Sequence, residues 1–363
     1  MKADIVTFHS VPNYGAVLQA YALQEYLKTL CDKVEIVDYR PNELLHEYKR
    51  INTYSFFSIA HSLWSLFSYT KKLSKFAKFR SNFLSLSKST GKNIEELGTI
   101  TSDVVFLGSD QIWNPEITNG VDSAYFGKFK WLDQPTIASY AASVGKAEFT
   151  LEEQGKIVCL LKDVDFVSVR EDEAKQLLSP YTDKEIYTVV DPTILAGRQC
   201  FDNLVNSVPL QNYVLIYSLT GNPDTEAMAV KVSKYLEAPI VELSGRRKGF
   251  VKKNHKTIYT AGPTEFVSLI ANANYIVTDS FHGTAFSLLY HKKFISIPHK
   301  TRGGRIINLL SICNLSDRMT NKFEKELIDN DIRWEDVDSK IAYAKEKSED
   351  YIKEVISHCE KII

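Results

Sequence analysis

The sequence predicts an α/β protein made of two doubly wound, Rossmann-like domains facing a cleft. Three observations predict it. The chain opens with strand, loop, helix and strand over residues 3–39. After about residue 200 the same alternation starts again. In both halves, polar stretches containing glycine stand just beyond apolar strands, where open α/β sheets bind ligands.

Composition supports this and narrows the function. At 363 residues, 44% hydrophobic and 25% charged, the chain suits two domains of common size. A formal net charge of -1 gives no reason to expect nucleic acid as a partner. Cys31, Cys159, Cys200, Cys313 and Cys359 are scattered, with no CxxC pair. Neither a zinc site nor a disulfide framework is suggested, and a reducing cytoplasm is the expected compartment. Met1 to Phe8 reads as a strand, not a signal peptide, and no apolar run is long enough to span a bilayer.

Residues 3–8 are the first expected strand. His9 to Gly15 form a loop with Pro12, Asn13, Tyr14 and Gly15. Ala16 to Leu30 form a helix with Val17, Leu18, Tyr21, Leu23 and Leu27 apolar, and Lys33 to Tyr39 form the second strand. A glycine loop at a helix start could cradle an anion or sugar hydroxyls, but every βα turn needs one.

Residues 47–90 differ in character. Phe56, Phe57, Ile59, Trp64, Leu66, Phe67 and Tyr69 precede Lys71, Lys72, Lys75, Lys78 and Arg80. Eight basic residues face one acid, Glu47, for a local charge of +7. Two readings stand. Residues 50–80 could meet an anionic membrane surface or a phosphorylated lipid carrier. Equally, they could form a pair of helices with buried apolar faces and solvated lysines.

Val104 to Leu107 is a buried strand leading into Ser109, Asp110, Gln111, Ile112, Trp113 and Asn114. This polar loop suits sugar hydroxyls, with Trp113 as a stacking face. The plainer alternative is a turn whose Asp and Asn bond their own backbone. Thr136 to Ala142 is a further strand. Phe166 to Glu171 is another, with Arg170 at its end, placed to pair with a carboxylate or phosphate, or else with Glu171 or Asp172. Val189 to Thr193 read as a strand end, with Asp191 holding the backbone of a domain hinge rather than taking part in chemistry.

In the second half, 213–217, 240–243, 275–278 and 294–297 read as strands. Residues 224–236, 263–271 and 306–310 read as helices, and 244–253 as a basic loop. The apolar run Tyr275 to Thr278 precedes Asp279-Ser280-Phe281-His282-Gly283-Thr284 and then the helical spacing of 285–290. A strand, a tight turn and a helix start make an anion site, because the first helical N–H groups and the helix dipole favour negative charge. His282 could give or take a proton there, and Gly283 could let backbone approach a ligand. Lys293, Arg302 and Arg305 could add positive charge.

Four of these stretches together resemble the polysaccharide pyruvyl transferase family: 13–23, 108–115, 168–171, and 278–286 with 291–295. The resemblance spans Asn13 to Arg305. It implies the GT-B arrangement, with an acceptor-side domain at 1–200 and a donor-side domain at 201–338. It also implies a final helix, 339–363, returning to the first domain. It implies transfer of a pyruvyl group from phosphoenolpyruvate to two hydroxyls of a sugar, carried on a polyprenyl diphosphate at the inner face of the cell membrane, with a cyclic ketal as product. No metal or other cofactor is expected. His282 would be the general acid and Arg170 would handle the donor. Ser280, Phe281, Gly283, Thr284, Lys293, Arg302 and Arg305 would surround the donor. Asn13, Tyr14, Gly15, Ser109, Asp110, Gln111, Trp113 and Asn114 would face the acceptor. In some members arginine stands two residues before the histidine; here it is Ser280, which leaves donor phosphate to Lys293, Arg302 or Arg305. A nucleotide-sugar glycosyltransferase and a non-catalytic carbohydrate-binding protein are the alternatives.

Overall fold

The computed structural model describes residues 1–44, 59–219, 221–244, 254–298 and 303–361; in the helix that starts at Ile59, side chains are described from residue 67. In the first half the main elements are β1 (Lys2–Val6), α1 (Tyr14–Leu27), β2 (Lys33–Tyr39), α2 (Ile59–Phe83), β3 (Leu86–Gly91), β4 (Val104–Leu107) and β5 (Thr136–Ser139). They are followed by α3 (Leu151–Leu161), β6 (Val167–Val169), β7 (Ile186–Thr188) and α4 (Pro192–Ala196). The sheet order is β3-β2-β1-β4-β5, and every pairing is parallel.

The second half repeats the plan. Its elements are β8 (Val214–Tyr217), α5 (Pro223–Tyr235), β9 (Ile240–Leu243), β10 (His255–Ile258), α6 (Pro263–Ala271), β11 (Tyr275–Thr278), α7 (Phe281–Leu289), β12 (Lys293–Ser296), α8 (Gly304–Ile312) and α9 (Trp334–Glu360). Their order is β10-β9-β8-β11-β12, again parallel throughout. Each sheet therefore changes winding direction between its first and fourth strands. That leaves a crevice at the carboxyl ends of β1 and β4 in one sheet, and of β8 and β11 in the other.

Local chemistry explains the elements. β4, β8 and β11 are buried at all four positions, as strands covered on both faces should be. Asn13 caps α1: its Oδ1 accepts from the N–H groups of Gly15 (3.0 Å) and Ala16 (3.3 Å). Thr150 and Glu153 close a reciprocal capping box on α3. Two strands were not read from sequence, β3 (Leu-Ser-Lys-Ser-Thr-Gly) and β10 (His-Lys-Thr-Ile). Both are polar edge strands without an apolar run.

Among the described residues the chain divides into two compact units. The first takes residues 1–44, 80–196 and 342–361; the second takes 59–79 and 197–341. The reading of 1–200 as one continuous stretch thus differs for α2, whose residues 59–79 group with the second unit. In α2, Phe76 and Phe79 are buried, whereas Phe67 and Leu73 are exposed. Lys75 pairs with Glu265, so it is not a free surface charge. Lys72 lies 5.7 Å from the centre of the Phe76 ring, and burial pushes its pKa down to about 8. The aromatic residues Phe56 and Phe57 lie outside the described residues.

Within the first unit, the end of α9 is held by both packing and hydrogen bonds. The Tyr351 hydroxyl donates to Ser139 O at 2.7 Å, at the carboxyl end of β5. The Ser348 hydroxyl accepts from Val190 N–H at 3.0 Å, and Ile352 and Val355 are fully buried. Tyr351→Phe should therefore cost roughly 0.5–1.5 kcal/mol by removing one of the two hydroxyl donors to the Ser139 carbonyl, the Ser168 hydroxyl remaining at 2.7 Å. Tyr351→Ala should cost roughly 3–5 kcal/mol through the added cavity. Chemical denaturation of the variants measures this; equal stability of wild type and Tyr351→Ala would show that α9 is not docked.

Candidate active site

In the second unit the motif beyond β11 is the first turn of α7, not a turn preceding it. Ser280 is the N-cap, its Oγ accepting from Gly283 N–H at 3.4 Å. His282 is the second residue of α7 and is 6% exposed. Its ring meets that of Phe281 edge to face at 5.1 Å. Asp279 fixes the turn from below: Oδ2 accepts from the Ser218 hydroxyl at 2.7 Å and Oδ1 from Leu219 N–H at 3.1 Å. Those partners stand just beyond β8, so Asp279 ties together the two strands that flank the crevice. Thr284 bonds Ser296 across to the end of β12, at 2.7 Å.

Gly283 has a different reason from the one its sequence context suggests. A Cβ there would come within 2.2 Å of Thr278 Oγ1. The missing side chain lets α7 start directly against the end of β11, which serves packing more than ligand approach.

In the first unit three stretches meet at the carboxyl edge. The Arg170 Nη1 donates to Asp191 Oδ2 at 2.6 Å, with Glu171 at 3.7 Å from Nε and Asp110 at 3.8 Å from Nη2. Arg170 is 3% exposed. Burial alone would lower its pKa; Asp191, Glu171 and Asp110 outweigh that and hold it above the ordinary arginine value. Asp191 also accepts from the Ser109 hydroxyl (3.4 Å) and caps α4 through Thr193 N–H (2.9 Å) and Oγ1 (2.7 Å). Ser143 bonds Glu171 in the same cluster.

Sequence reasoning missed the groups that join these loops. Gln19 of α1 donates to Thr7 Oγ1 (2.8 Å) and Ala16 O (2.9 Å), and its Oε1 accepts from Ser109 N–H (3.1 Å). Thr7 Oγ1 donates to Ser109 O at 3.0 Å. His9, fully buried, directs Nε2 to Asp38 Oδ1 (2.9 Å) and Nδ1 to Thr7 O (3.1 Å). Asp38 also takes two bonds from Arg40 (2.6 and 2.8 Å) and one from Thr90 (2.6 Å). The available signal was an acid inside the apolar strand β2, beside a histidine just past β1.

Several expected contacts take other places. Trp113 offers no stacking face: it is 2% exposed, stacked on Phe126 at 5.1 Å, and its Nε1 donates to Tyr125 O. Asn114 is fully buried, caps the short helix Pro115–Thr118 and donates to Gln111 Oε1 at 2.8 Å. Asp110 accepts from the next N–H, of Gln111, at 2.9 Å. Tyr14 and Gly15 are buried in the first turn of α1. Lys293 begins β12 and pairs with the level of Tyr275, at the amino edge of the sheet. It is bound to Asp329 O (3.0 Å) and Asp331 (2.7 Å) and stands at the end of the sheet away from His282. Arg305 lies in the first turn of α8, and α8 packs beside α7. Arg302 and the basic loop 245–253 lie outside the described residues.

Burial alone would raise the pKa of Asp38, but its bonds to His9, Arg40 and Thr90 outweigh this and hold it well below the usual carboxylate range. A depressed folded pKa stabilises above the unfolded value, near 4, and that contribution fades as pH falls toward the folded value. Asp38→Asn should therefore be less stable at neutral pH. Its stability should also fall less than that of wild type below about pH 5. Urea midpoints across that range decide it, and parallel acid limbs for the two proteins would contradict it.

The fold has known counterparts. A protein described as a UDP-N-acetylglucosamine 2-epimerase from Listeria monocytogenes superposes with a TM-score of 0.53 at 11% identity, covering 99% of this chain and 97% of that one. A further UDP-N-acetylglucosamine 2-epimerase gives 0.52 at 11% identity, with 98% and 95% covered. The S. aureus MnaA–UDP structure gives 0.50 at 13% identity, with 96% and 94% covered. At such identities the likeness concerns the fold alone, an α/β architecture of two Rossmann-like units of the GT-B type. No curated protein matches the chain. The family model described as polysaccharide pyruvyl transferase matches residues 13–301, and the chain belongs to that family.

Proposed function

We propose that the protein moves the pyruvyl group of phosphoenolpyruvate onto two hydroxyls of one sugar, forming a cyclic ketal and releasing phosphate. The observation that carries this reading is His282, in the first turn of a helix that starts at the winding switch of the second sheet. Family membership supplies the reaction class.

The chemistry proceeds in two additions. His282 gives a proton to the methylene carbon, leaving a cationic centre that the first hydroxyl attacks with loss of its proton. The C–O bond to phosphate then breaks, and the second hydroxyl closes the ketal, losing its own proton. The donor's carboxylate and phosphate are held at the start of α7, at the turn formed by Ser280, Phe281, Gly283 and Thr284, with the helix dipole and Arg305 adding positive charge. Arg170, oriented by Asp191, is the guanidinium we assign to the donor's charge. Since its guanidinium already faces three carboxylates, donor contact requires those pairs to loosen. Asn13, Tyr14, Gly15, Ser109, Asp110 and Gln111 belong to the acceptor side.

In this reading the acceptor rides on a polyprenyl diphosphate, and α2 meets the inner face of the cell membrane. Exposed Phe67 and Leu73 beside exposed Lys71 and Lys78 support it. Among the described residues no helix is long and apolar enough to cross a membrane. Each exposed lysine near anionic lipid adds about 1 kcal/mol. Replacing Lys71 and Lys78 by glutamine should weaken liposome flotation, and equal flotation would remove the membrane contact.

The catalytic test is a donor screen with sugar acceptors, following phosphate and nucleotide release separately. Phosphoenolpyruvate should turn over with phosphate release. His282→Ala should lose about 10²–10⁴-fold in kcat with donor affinity largely kept, and His282→Gln should be nearly as slow. Arg170→Lys should raise the donor KM, because an ammonium lacks the planar fork. A His282→Ala enzyme within a few-fold of wild type, or turnover of a nucleotide sugar alone, would overturn the assignment.

A further inference from the structure

The second unit carries a cavity that the transfer reaction does not use. It has a volume of about 490 Å³, ordinary for a small-molecule site. It opens at the amino edge of β11 and β12, where Tyr275 and Lys293 begin their strands. The His282 turn is beyond the other end of β11, four residues or roughly 13 Å along the strand.

Its walls have two characters. Leu236, Ile328 and Trp334 give an apolar side, with the His291 ring stacked on the indole at 4.8 Å and 13°. His291, Lys292 and Lys293 give a basic side. Two of these are answered: His291 bonds Asp338 at 2.9 Å, and Lys293 bonds Asp331 and the Asp329 carbonyl. The Asp329 carboxylate is engaged by the Tyr235 hydroxyl at 2.7 Å. Lys292 is half-buried and, among the described residues, its ammonium has no acidic partner. Burial and the nearby Arg198 both push its pKa down. A half-buried ammonium without an answering acid among the described residues, in a cavity that also has an apolar side, suits an anionic ring.

We propose that this cavity binds a small ring-bearing anion: the ring lies against the side of Leu236, Ile328 and Trp334, and its phosphate or carboxylate meets Lys292. That chemistry is shared by a nucleoside monophosphate and an acidic sugar. The site stands apart from the transfer reaction, so it does not depend on the donor assignment.

Titration calorimetry on the full chain tests it, with uridine monophosphate, glucuronate and inorganic phosphate as separate probes. Uridine monophosphate or glucuronate should bind with a Kd below about 1 mM. Whichever binds names the source, and phosphate alone should bind more weakly for want of the ring. Lys292→Glu should weaken binding by at least about tenfold, the loss expected for one charge-assisted bond, while Lys292→Arg stays near wild type. His282→Ala should bind the probe as wild type does, which separates this site from the donor site. The inference is overturned if neither ring-bearing probe binds, or if Lys292→Glu binds as tightly as wild type.

Discussion

A buried guanidinium between three carboxylates holds the carboxyl-edge loops of the first unit together. Arg170 comes from the end of β6, Asp191 from the start of α4, and Asp110 from the loop after β4. Asp191 adds Ser109 and the amides of α4, and Ser109 is in turn bound by Gln19 and Thr7. Five segments of the chain are thereby fixed at one crevice. A buried pair of this kind adds little net stability as a whole, but removing one partner leaves an uncompensated charge worth about 3–5 kcal/mol. Positions that carry the family's motifs are thus also positions on which the local fold depends.

The second unit solves the equivalent problem with neutral groups. Among the described residues of the turn, Asp279 is the charged one, held by a hydroxyl and an amide, while Ser280, Thr278 and Thr284 close the turn. The start of α7 lies tight against β11 because Gly283 has no Cβ to meet Thr278. This geometry puts His282 one residue into a helix whose N-terminal dipole faces the crevice.

Much of the fold was legible because parallel strands buried on both faces read as apolar runs. β4, β8 and β11 do, and the glycine and proline punctuation placed the helices between them. What was not legible has a physical cause in each instance. β3 and β10 are edge strands with polar sequences. Trp113 and Asn114 sit in a polar loop by sequence but turn inward, one to fill the core and one to cap a helix. Lys293 lies eleven residues after His282, yet the crossover returns the chain to the opposite edge of the sheet. The His9–Asp38–Arg40 network joins residues from adjacent strands, and no local pattern announces it.

The central claim is proton delivery to the donor's methylene carbon, coupled to loss of phosphate. Reaction in deuterium oxide with phosphoenolpyruvate and a glycan acceptor tests it most directly, with product mass and free phosphate measured together. One deuterium is expected in each new ketal methyl, and one phosphate is expected for each ketal formed. A product methyl without deuterium, or a glycan extended at the expense of a nucleotide sugar with no phosphoenolpyruvate consumed, would contradict it.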